Sequence, residues 1–474
     1  MTVNTILSKI NEETHLKFYL YFMNSYKLWI ENSENQEFIH QLQINTPSNL
    51  HQIFKNIDEA GGSGLYVGGC VRDHFYHKAC KDHDVVVFGM NENDLLKVLS
   101  VFGQVNYQGA KYGVFVVRMN NLDFEFAVAR SDTKSGLGHK EFLILRNPDL
   151  SPREEASRRD FTINSLMYDP IRCIVIDCFN GITDIQTHTL RHVSSAFAED
   201  VSRVFRGVSQ AARFNMKMDP ITAHYCSSLI SEYNTINSND KWRIWLSFLT
   251  KSNNFHQGLK VLKDTRWITL YPDLEKVFDS PGYNFHVKLI NKSISRCKAD
   301  NCDEKSFSVI VLTFLTLYMK TFERNNFLSE INCPSSRKIE IELMCNLIPI
   351  IKEYKYNNTS INKTNNNHNW IISELQIKNI VFKCSKSYHS ILNLLTIISI
   401  LDIGIDNKVF IQDALYFGID LFVFKPILNG EVLMDILNLQ KNHELGIACR
   451  KALLAELDGL VTKSNAKQWA LSNL

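Results

Sequence analysis

Apolar residues follow two different periods in the two parts of the chain. Between residues 64 and 130, short apolar runs such as 85–88 and 114–117 alternate with a helical segment, as is typical of strands in an α/β unit. Beyond residue 216, apolar residues recur at three- and four-residue spacing, and Gly and Pro are sparse. The pattern predicts the α+β class, with a small mixed sheet near the N-terminus and helices after it.

Two helices stand out in this pattern. One is an amphipathic stripe that ends before Gly61 and is formed by Leu50, Ile53, Phe54 and Ile57. The other covers residues 390–405, the most apolar run, which is interrupted by polar residues. Because this run falls short of the ~20 apolar residues that a membrane span needs, we expect a buried helix and no membrane partner.

The pattern divides the chain into six predicted segments. They are a helical leader over residues 1–45, a head over 46–156, a neck over 157–216, a helical body over 217–356, an Asn-rich loop over 357–369 and a helical tail over 370–474. Within the neck, residues 174–176 indicate one short strand. The Asn-rich segment buries little apolar surface, and a loop is therefore expected there.

Length, charge and cysteine content limit the classes of protein to which this chain can belong. The 474 residues are enough for two or three domains. A formal net charge of +2 gives no global nucleic-acid signature, so any RNA-binding surface must be a local patch. The eleven cysteines are scattered, and the N-terminal residues do not form the pattern of a secretion signal. We therefore expect free thiols in a reducing compartment, the cytoplasm.

The most informative motif is a glycine pair followed by an arginine. Gly68 and Gly69 end the apolar run 64–67, and Arg72 follows three residues after the second glycine. Two glycines at the end of a strand let backbone N–H groups approach a phosphate closely. With a cation nearby, the motif predicts a phosphate cradle.

Three carboxylates predict a metal site close to this motif. Asp82 and Asp84 are two apart on an extended segment and point to the same side, and Glu125 lies on a candidate neighbouring strand. Carboxylates side by side repel unless a cation lies between them, and Mg²⁺ is the usual cation beside a triphosphate. Alone, Asp-x-Asp is more often a solvated strand end; together with the glycine motif, it indicates two-metal nucleotidyl transfer.

A second polar cluster begins at Arg158. It is expected to open a helix, with Thr162 and Asn164 as local caps. In that arrangement Arg159, Asp160 and Asn164 can meet the phosphates and the sugar of a nucleotide. Taken alone, Arg-Arg-Asp is more often a surface cluster of ion pairs.

A third cluster follows at residues 199–213. Asp200 and Arg203 are three apart, which on a helix places them on one face. A carboxylate acceptor beside a guanidinium donor can match the Watson–Crick edge of a base, and Arg206 and Arg213 continue a basic stripe. An ion pair without a ligand is the alternative interpretation.

In this order and spacing, the clusters resemble the bacterial-type (class II) tRNA nucleotidyltransferase and poly(A) polymerase family. The resemblance covers most of the chain from about Leu50. Its motifs are residues 68–73, Asp82 with Asp84, residues 124–130, 133–140, 158–169 and 199–214. The resemblance implies a polymerase-beta-like nucleotidyltransferase head with a small mixed sheet, followed by an all-helical neck, body and tail.

The resemblance also implies roles for individual residues. Asp82, Asp84 and Glu125 would bind catalytic Mg²⁺, and Gly68, Gly69 and Arg72 would hold the triphosphate. Arg159, Asp160 and Asn164 would contact ribose and phosphate. Asp200 and Arg203 would pair with the incoming base, and Arg206 would be a further nucleotide-binding residue. The implied reaction is template-independent addition of CCA to tRNA 3′ ends. Its partners would be CTP, ATP and the 3′ end of tRNA or another RNA, with no stable protein partner implied.

Two departures and two alternatives accompany this hypothesis. Val201-Ser202 replaces the Pro-Leu that is usual in the family, and residues 216–474 contain no His-Asp dipeptide, so phosphohydrolase activity is not expected. The same head can serve a poly(A) polymerase or an enzyme restricted to A or CC addition. From another class, the alternative is a catalytically silent RNA-binding protein.

Overall fold

The computed structural model describes residues 28–29, 46–78, 83–108, 113–119, 122–134, 142–358, 374–384, 388–401, 426–440, 443–457 and 460–474. It divides into two compact units, Met1–Leu270 and Tyr271–Leu474. Among the helices in these ranges, none is long and apolar enough to cross a membrane. The ten cysteines that the structure describes are free thiols, as expected.

The first unit is built on a mixed sheet. Its strands are β1 Leu28–Trp29, β2 Ser63–Val67, β3 His83–Phe88, β4 Val105–Gln108, β5 Val114–Met119, β6 Leu122–Val128, β7 Arg130–Lys134, β8 Phe142–Arg146, β9 Met167–Asp169, β10 Ile174–Ile176, β11 Thr189–Leu190 and β12 Lys217–Met218. Eight of them pair in the order β1-β10-β9-β2-β3-β6-β5-β4. In this sheet β3 and β6 are parallel, and the other neighbours are antiparallel.

Helices cover this sheet and continue the first unit. They are α1 Ser48–Glu59, α2 Gly69–Phe75, α3 Glu92–Ser100, α4 Pro152–Ser157, α5 Gly181–Gln186, α6 Ser202–Phe214, α7 Pro220–Ser228, α8 Ser238–Lys251 and α9 Phe255–Asp264, with 3₁₀ turns at Thr162–Asn164, Ser195–Glu199, Ile230–Thr235 and Trp267–Leu270. The predicted stripe of α1 is fully buried, and its Phe54 ring lies 4.8 Å from that of Tyr66. The amphipathic period therefore located α1 correctly.

The core of the sheet explains why residues 65–67 of β2 and 85–88 of β3 are continuous apolar runs. Leu65 and Val67 of β2 pack with Val86 and Phe88 of β3 in one cluster. All five residues of β2 are nevertheless buried, so both of its faces are covered. A strand covered on both faces needs apolar residues at every position rather than at alternate ones.

The second unit consists of helices. They are α10 Pro272–Phe278, α11 Tyr283–Ala299, α12 Glu304–Thr316, α13 Thr321–Glu330, α14 Ser335–Asn358, α15 Glu374–Cys384, α16 Tyr388–Leu401, α17 Gly430–Leu437, α18 His443–Leu457 and α19 Ala466–Asn473. Helix α12 is buried from Ser306 to Thr316. The predicted apolar helix at residues 390–405 corresponds to α16 as far as Leu401.

The structure confirms the α+β class but changes three details of the predicted segments. Strand β10 is the short strand predicted at residues 174–176, but it and β9 belong to the head sheet, which therefore extends past residue 156. Leu28–Trp29 of the predicted helical leader form a strand that pairs with β10. Helix α14 continues to Asn358, two residues into the predicted Asn-rich loop. The rest of the leader and residues 359–369 lie outside the described residues.

Close packing around Gly258 gives a test of this fold. In α9, a Cβ atom at Gly258 would lie 2.3 Å from Cε2 of Phe248, whose ring stacks on Phe255 at 4.5 Å. We expect Gly258→Ala to lower the free energy of unfolding by about 1–3 kcal/mol, because overpacking outweighs the better helix propensity of alanine. Urea denaturation followed by circular dichroism measures this change.

Gly446 in α18 is the matched control for Gly258. An added Cβ there meets no heavy atom within 4 Å. Gly446→Ala should therefore stabilise the protein by about 0.5–1 kcal/mol. An unchanged or raised stability of Gly258→Ala would contradict the packing described here.

Candidate active site

Two carboxylates lie side by side at the centre of the sheet. Parallel pairing of β3 and β6 places Asp84 directly beside Glu125. Both residues line a cleft of about 200 Å³. Hard carboxylate oxygens are the donors that divalent cations such as Mg²⁺ prefer, so this pair fits a divalent cation. Asp82, the predicted third ligand, lies outside the described residues, and within those residues no group of three metal-binding side chains occurs.

Three arginines line the same cleft. They are Arg130 at the start of β7 and Arg158 and Arg159 after α4, while Val67, Val85 and Ala127 are among the apolar lining residues. Arginines beside a carboxylate pair suit a ligand that carries phosphates and a divalent cation together. Of the three, only Arg159 was predicted from the sequence as a site residue.

A buried glutamate holds two of these arginines. Glu155 is fully buried, and its Oε1 accepts hydrogen bonds from Nη2 of Arg158 at 2.5 Å and Nη2 of Arg159 at 3.0 Å. Its Oε2 accepts from Nε of Arg159 at 3.1 Å. Burial alone would raise the pKa of Glu155, but the charges of Arg159 and Arg158 more than offset it, and the pKa falls to about 2.

Local sequence explains why this arrangement forms. Helix α4 begins with a capping box between Ser151 and Glu154, with Pro152 in its first turn. The arginines follow Glu155 by three and four residues, the spacing at which side chains meet on a helical turn. The sequence signal was present, but a Glu close to Arg-Arg is also the usual pattern of a surface ion pair.

Gly68 makes room for Arg159. Its φ is +68°, and a Cβ atom there would lie 3.0 Å from Nη1 of Arg159. The N–H of Gly68 donates to the carbonyl of Leu166 at 3.1 Å, so in this structure it is committed to the protein rather than aimed at a ligand. Gly69 begins α2 and lies close to Arg72.

Arg72, the predicted triphosphate ligand, makes its contacts within the protein, and its predicted role remains a prediction. It is not among the residues that line the cleft. The side chain is buried, donates to Oδ1 of Asp73 from Nε at 2.8 Å and from Nη2 at 2.6 Å, and donates from Nη1 to Oδ1 of Asn164. Burial lowers the pKa of Arg72. In this structure Arg72 connects α2 to the turn at Asn164.

The ring of Phe214 joins α2 to the end of α6. The guanidinium of Arg72 lies 4.6 Å from its centroid, that of Arg213 4.7 Å, and the ammonium of Lys78 4.8 Å. Arg213 also donates to Oδ2 of Asp73 at 2.7 Å. The basic stripe predicted for α6 therefore serves, at Arg213, as a contact within the protein.

Asp160 and Asn164 form a buried hydrogen-bond network. Oδ1 of Asp160 accepts from the N–H of Phe161 and from Nδ2 of Asn164, both at 2.8 Å, and Oδ2 accepts from Nε of Arg206 at 2.6 Å. Burial alone would raise the pKa of Asp160. Arg206, Asn164 and Arg203 more than offset this effect, so the pKa falls to about 2. The predicted contacts with ribose and phosphate remain a prediction.

The predicted helix start at Arg158 is wrong. Helix α4 ends at Ser157, and a short 3₁₀ turn follows at Thr162–Asn164. Thr162 does not cap this turn, because its hydroxyl donates to Oδ2 of Asp184 at 2.7 Å. The amide of Asn164 is directed to Asp160 instead, so tertiary partners replace both predicted caps.

Asp200 and Arg203 do not share a helix face. Asp200 precedes α6 with an extended backbone, φ −128° and ψ 99°, and its Oδ1 accepts from the N–H of Ser202 at 2.9 Å. Arg203 lies in α6 and donates to the carbonyls of Ala196 and Arg158, both at 2.7 Å. Arg206 is 59% exposed, and the charge of Asp160 raises its pKa.

Known proteins resemble this chain both in the sequence of the head domain and in the fold. Residues 65–191 match the family model of the poly A polymerase head domain. Over 222 residues, the chain is 37% identical to the multifunctional CCA protein of Psychromonas ingrahamii, a match that covers 46% of this chain and 52% of that protein. The chain thus spans about half the length of the curated relative that it matches.

Solved structures of CCA-adding enzymes are similar in fold. One, in complex with CTP, aligns with a TM-score of 0.61 at 16% identity and covers 92% of this chain and 98% of its own. The Thermotoga maritima CCA-adding enzyme complexed with tRNA aligns with a TM-score of 0.58 at 17% identity, over 92% of this chain and 98% of that one. At these identities the likeness concerns the fold.

The low pKa of Asp160 predicts how stability depends on pH. Since the folded-state pKa of about 2 lies below the ordinary value of 3.8, the stabilisation is fully present above pH 3.8 and is lost as the pH falls through 2. We expect Asp160→Asn to lower the free energy of unfolding at pH 7 by on the order of 2 kcal/mol, and by much less near pH 2. Urea titrations at a series of pH values measure this difference.

Asp94 provides the matched control for Asp160. Its side chain is 49% exposed and pairs with Lys97 at 2.8 Å. Asp94→Asn should therefore change stability only slightly, because solvent screens an exposed pair. If Asp160→Asn and Asp94→Asn cost the same at pH 7, the buried network does not carry the stability assigned to it.

Proposed function

We propose that this chain, whose residues 65–191 match the poly A polymerase head domain, is a tRNA nucleotidyltransferase that adds C, C and A to tRNA 3′ ends without a nucleic-acid template. CTP and then ATP are the substrates, and pyrophosphate is the second product. The cleft that combines Asp84 and Glu125 with three arginines carries this proposal. We also place the protein in the cytoplasm, in keeping with its free thiols.

The proposed reaction is a direct displacement at phosphorus. The 3′-oxygen of the RNA forms a bond to the α-phosphorus of the nucleotide, the bond to the β-phosphate oxygen breaks, and pyrophosphate leaves. Asp84, Glu125 and Asp82 are the residues that would hold a divalent cation, which we propose to be Mg²⁺. The chemistry that it would supply there is Lewis-acid activation of the 3′-hydroxyl and neutralisation of charge on the phosphates.

The arginines of the cleft have the complementary task. We propose that Arg130, Arg158 and Arg159 bind the triphosphate and stabilise the charge that develops on the leaving group. Asp200 and Arg203 remain our proposed readers of the incoming base. Arg203 donates to the carbonyls of Ala196 and Arg158 in this structure, and these contacts hold the guanidinium group while its remaining N–H groups can serve a base.

Three RNA substrates distinguish the proposed reaction from its alternatives. We expect the protein with Mg²⁺ to extend tRNA transcripts that lack CCA from CTP and ATP, and transcripts that lack only the terminal A from ATP alone. Long ladders from ATP on an oligoadenylate would support a poly(A) polymerase instead. Extension that stops after CC would indicate an enzyme restricted to CC addition, and extension only of transcripts that already end in CC would indicate one restricted to A addition. If no nucleotide is incorporated on any substrate, the result would support a catalytically silent RNA-binding protein.

Two acidic residues of β6 form a matched pair for testing the metal site. Glu125 lines the cleft, whereas Asp123 is 56% exposed and lies 3.5 Å from Arg118. We expect Glu125→Gln to lower the rate of CMP incorporation roughly a hundredfold or more, as the loss of several kcal/mol of charge stabilisation implies. Asp123→Asn should retain nearly the full rate. Single-turnover assays measure these rates, and equal melting temperatures of the two variants show that both are folded. Similar rates for both variants would refute the assignment of Glu125.

A further inference from the structure

We propose that Glu155 is a positioning residue, which keeps Arg158 and Arg159 directed into the cleft so that they bind the nucleotide's triphosphate rather than the carboxylates of the metal site. This inference rests on the proposed function of the cleft. Glu155 itself does not line the cleft, whereas both arginines do. Its effect on a ligand would therefore pass through the two guanidinium groups.

The geometry around Glu155 fixes the orientation of Arg159. Nε and Nη2 of Arg159 reach the two carboxylate oxygens at 3.1 and 3.0 Å, which is the side-on, two-bond arrangement of an arginine with a carboxylate. Nη1 donates to the carbonyl of Asn164 at 3.4 Å, next to Gly68. The guanidinium plane is thus held on three sides, and its remaining N–H groups can serve an anion in the cleft.

Arg158 shares the same carboxylate. Its Nη2 lies 2.5 Å from Oε1 of Glu155, the oxygen that also accepts from Arg159. Two guanidinium groups on one carboxylate carry a net positive charge, which an incoming phosphate can still bind. Without the carboxylate, the two cations would repel each other and lose their common anchor.

The alternative partners of these arginines lie in the same cleft. Asp84 and Glu125 line it together with Arg158 and Arg159. An arginine that pairs with either carboxylate would occupy oxygens that we assign to the divalent cation. Glu155, which is fully buried, supplies a stronger partner away from the metal site. A buried carboxylate is costly unless it is paired, so each group in this arrangement depends on the others.

Neighbouring glutamates allow a sharp test. Glu154 caps α4 by accepting from the N–H of Ser151 at 2.8 Å, whereas Glu155 holds the arginines. We expect Glu155→Gln to weaken equilibrium binding of CTP about tenfold, measured by calorimetry without RNA, both in Ca²⁺ and in EDTA. Glu154→Gln should lower the melting temperature but leave CTP affinity unchanged. Equal CTP affinities of the two variants would overturn the inference.

A double-mutant cycle separates positioning from a purely structural role. If Glu155 acts through its neighbours, Glu155→Gln should have little further effect on CTP affinity in a protein that already carries Arg158→Gln and Arg159→Gln. An undiminished effect in that background would refute the inference. If wild-type protein binds no CTP in Ca²⁺, the proposed function itself fails, which is a different outcome.

A shorter carboxylate covers the case in which Glu155→Gln does not fold. Glu155→Asp keeps the charge but withdraws it by one methylene, so the two guanidinium groups lose part of their hydrogen bonding. We expect CTP affinity between those of wild type and Glu155→Gln, and a KM for CTP that rises more than kcat falls. Wild-type affinity in a folded Glu155→Asp protein would contradict the positioning role.

Discussion

The parallel pairing of β3 with β6 determines where chemistry can occur in this protein. Parallel neighbours require a crossover, which α3, β4 and β5 provide between the two strands. Their register places Asp84 beside Glu125, at a distance at which two carboxylates repel unless a cation or a guanidinium group lies near them. The sheet therefore places two negative charges together at its centre, and the nearby arginines and the proposed cation compensate the repulsion between them.

Three acidic residues, of which Glu155 and Asp160 are buried and Asp73 is partly buried, hold arginines on several elements of the first unit. Glu155 holds Arg158 and Arg159, Asp160 holds Arg206, and Asp73 holds Arg72 and Arg213. Replacing a buried ion pair by apolar residues is often no less stable, so such pairs are weak evidence for stability. These carboxylates instead fix the orientation of the guanidinium groups that they bind.

The sequence predicted the scaffold of this site better than the orientation of its side chains. Strands β2, β3 and β6 follow from their apolar runs, and the pairing of Asp84 with Glu125 follows from the strands. The side-chain contacts of Arg72 and Arg203 did not follow, because Arg72 binds Asn164 and Arg203 binds the carbonyl of Arg158, both of which are distant in sequence. Periodicity states which face a residue occupies, but not which tertiary partner competes for its donors.

The same limitation applies to Asp200 and Glu155. Three-residue spacing places two side chains together only if both lie in the helix, and the extended backbone at Asp200 removes it from α6. Glu155 was overlooked for the opposite reason. Its spacing to Arg158 and Arg159 is that of an ordinary surface ion pair, and only its complete burial distinguishes it.

The turn between Glu155 and Asp160 links the cleft to α6. Glu155 fixes the side chain of Arg158, while Arg203 of α6 donates to the backbone carbonyl of the same residue. At the other end of the turn, Asp160 binds Arg206, one helical turn further along α6. A displacement of Arg158 by a bound triphosphate would therefore act directly on Arg203, which we propose as a reader of the base. Because one short turn carries both contacts, the proposed phosphate binding and the proposed base recognition would be coupled mechanically rather than independent.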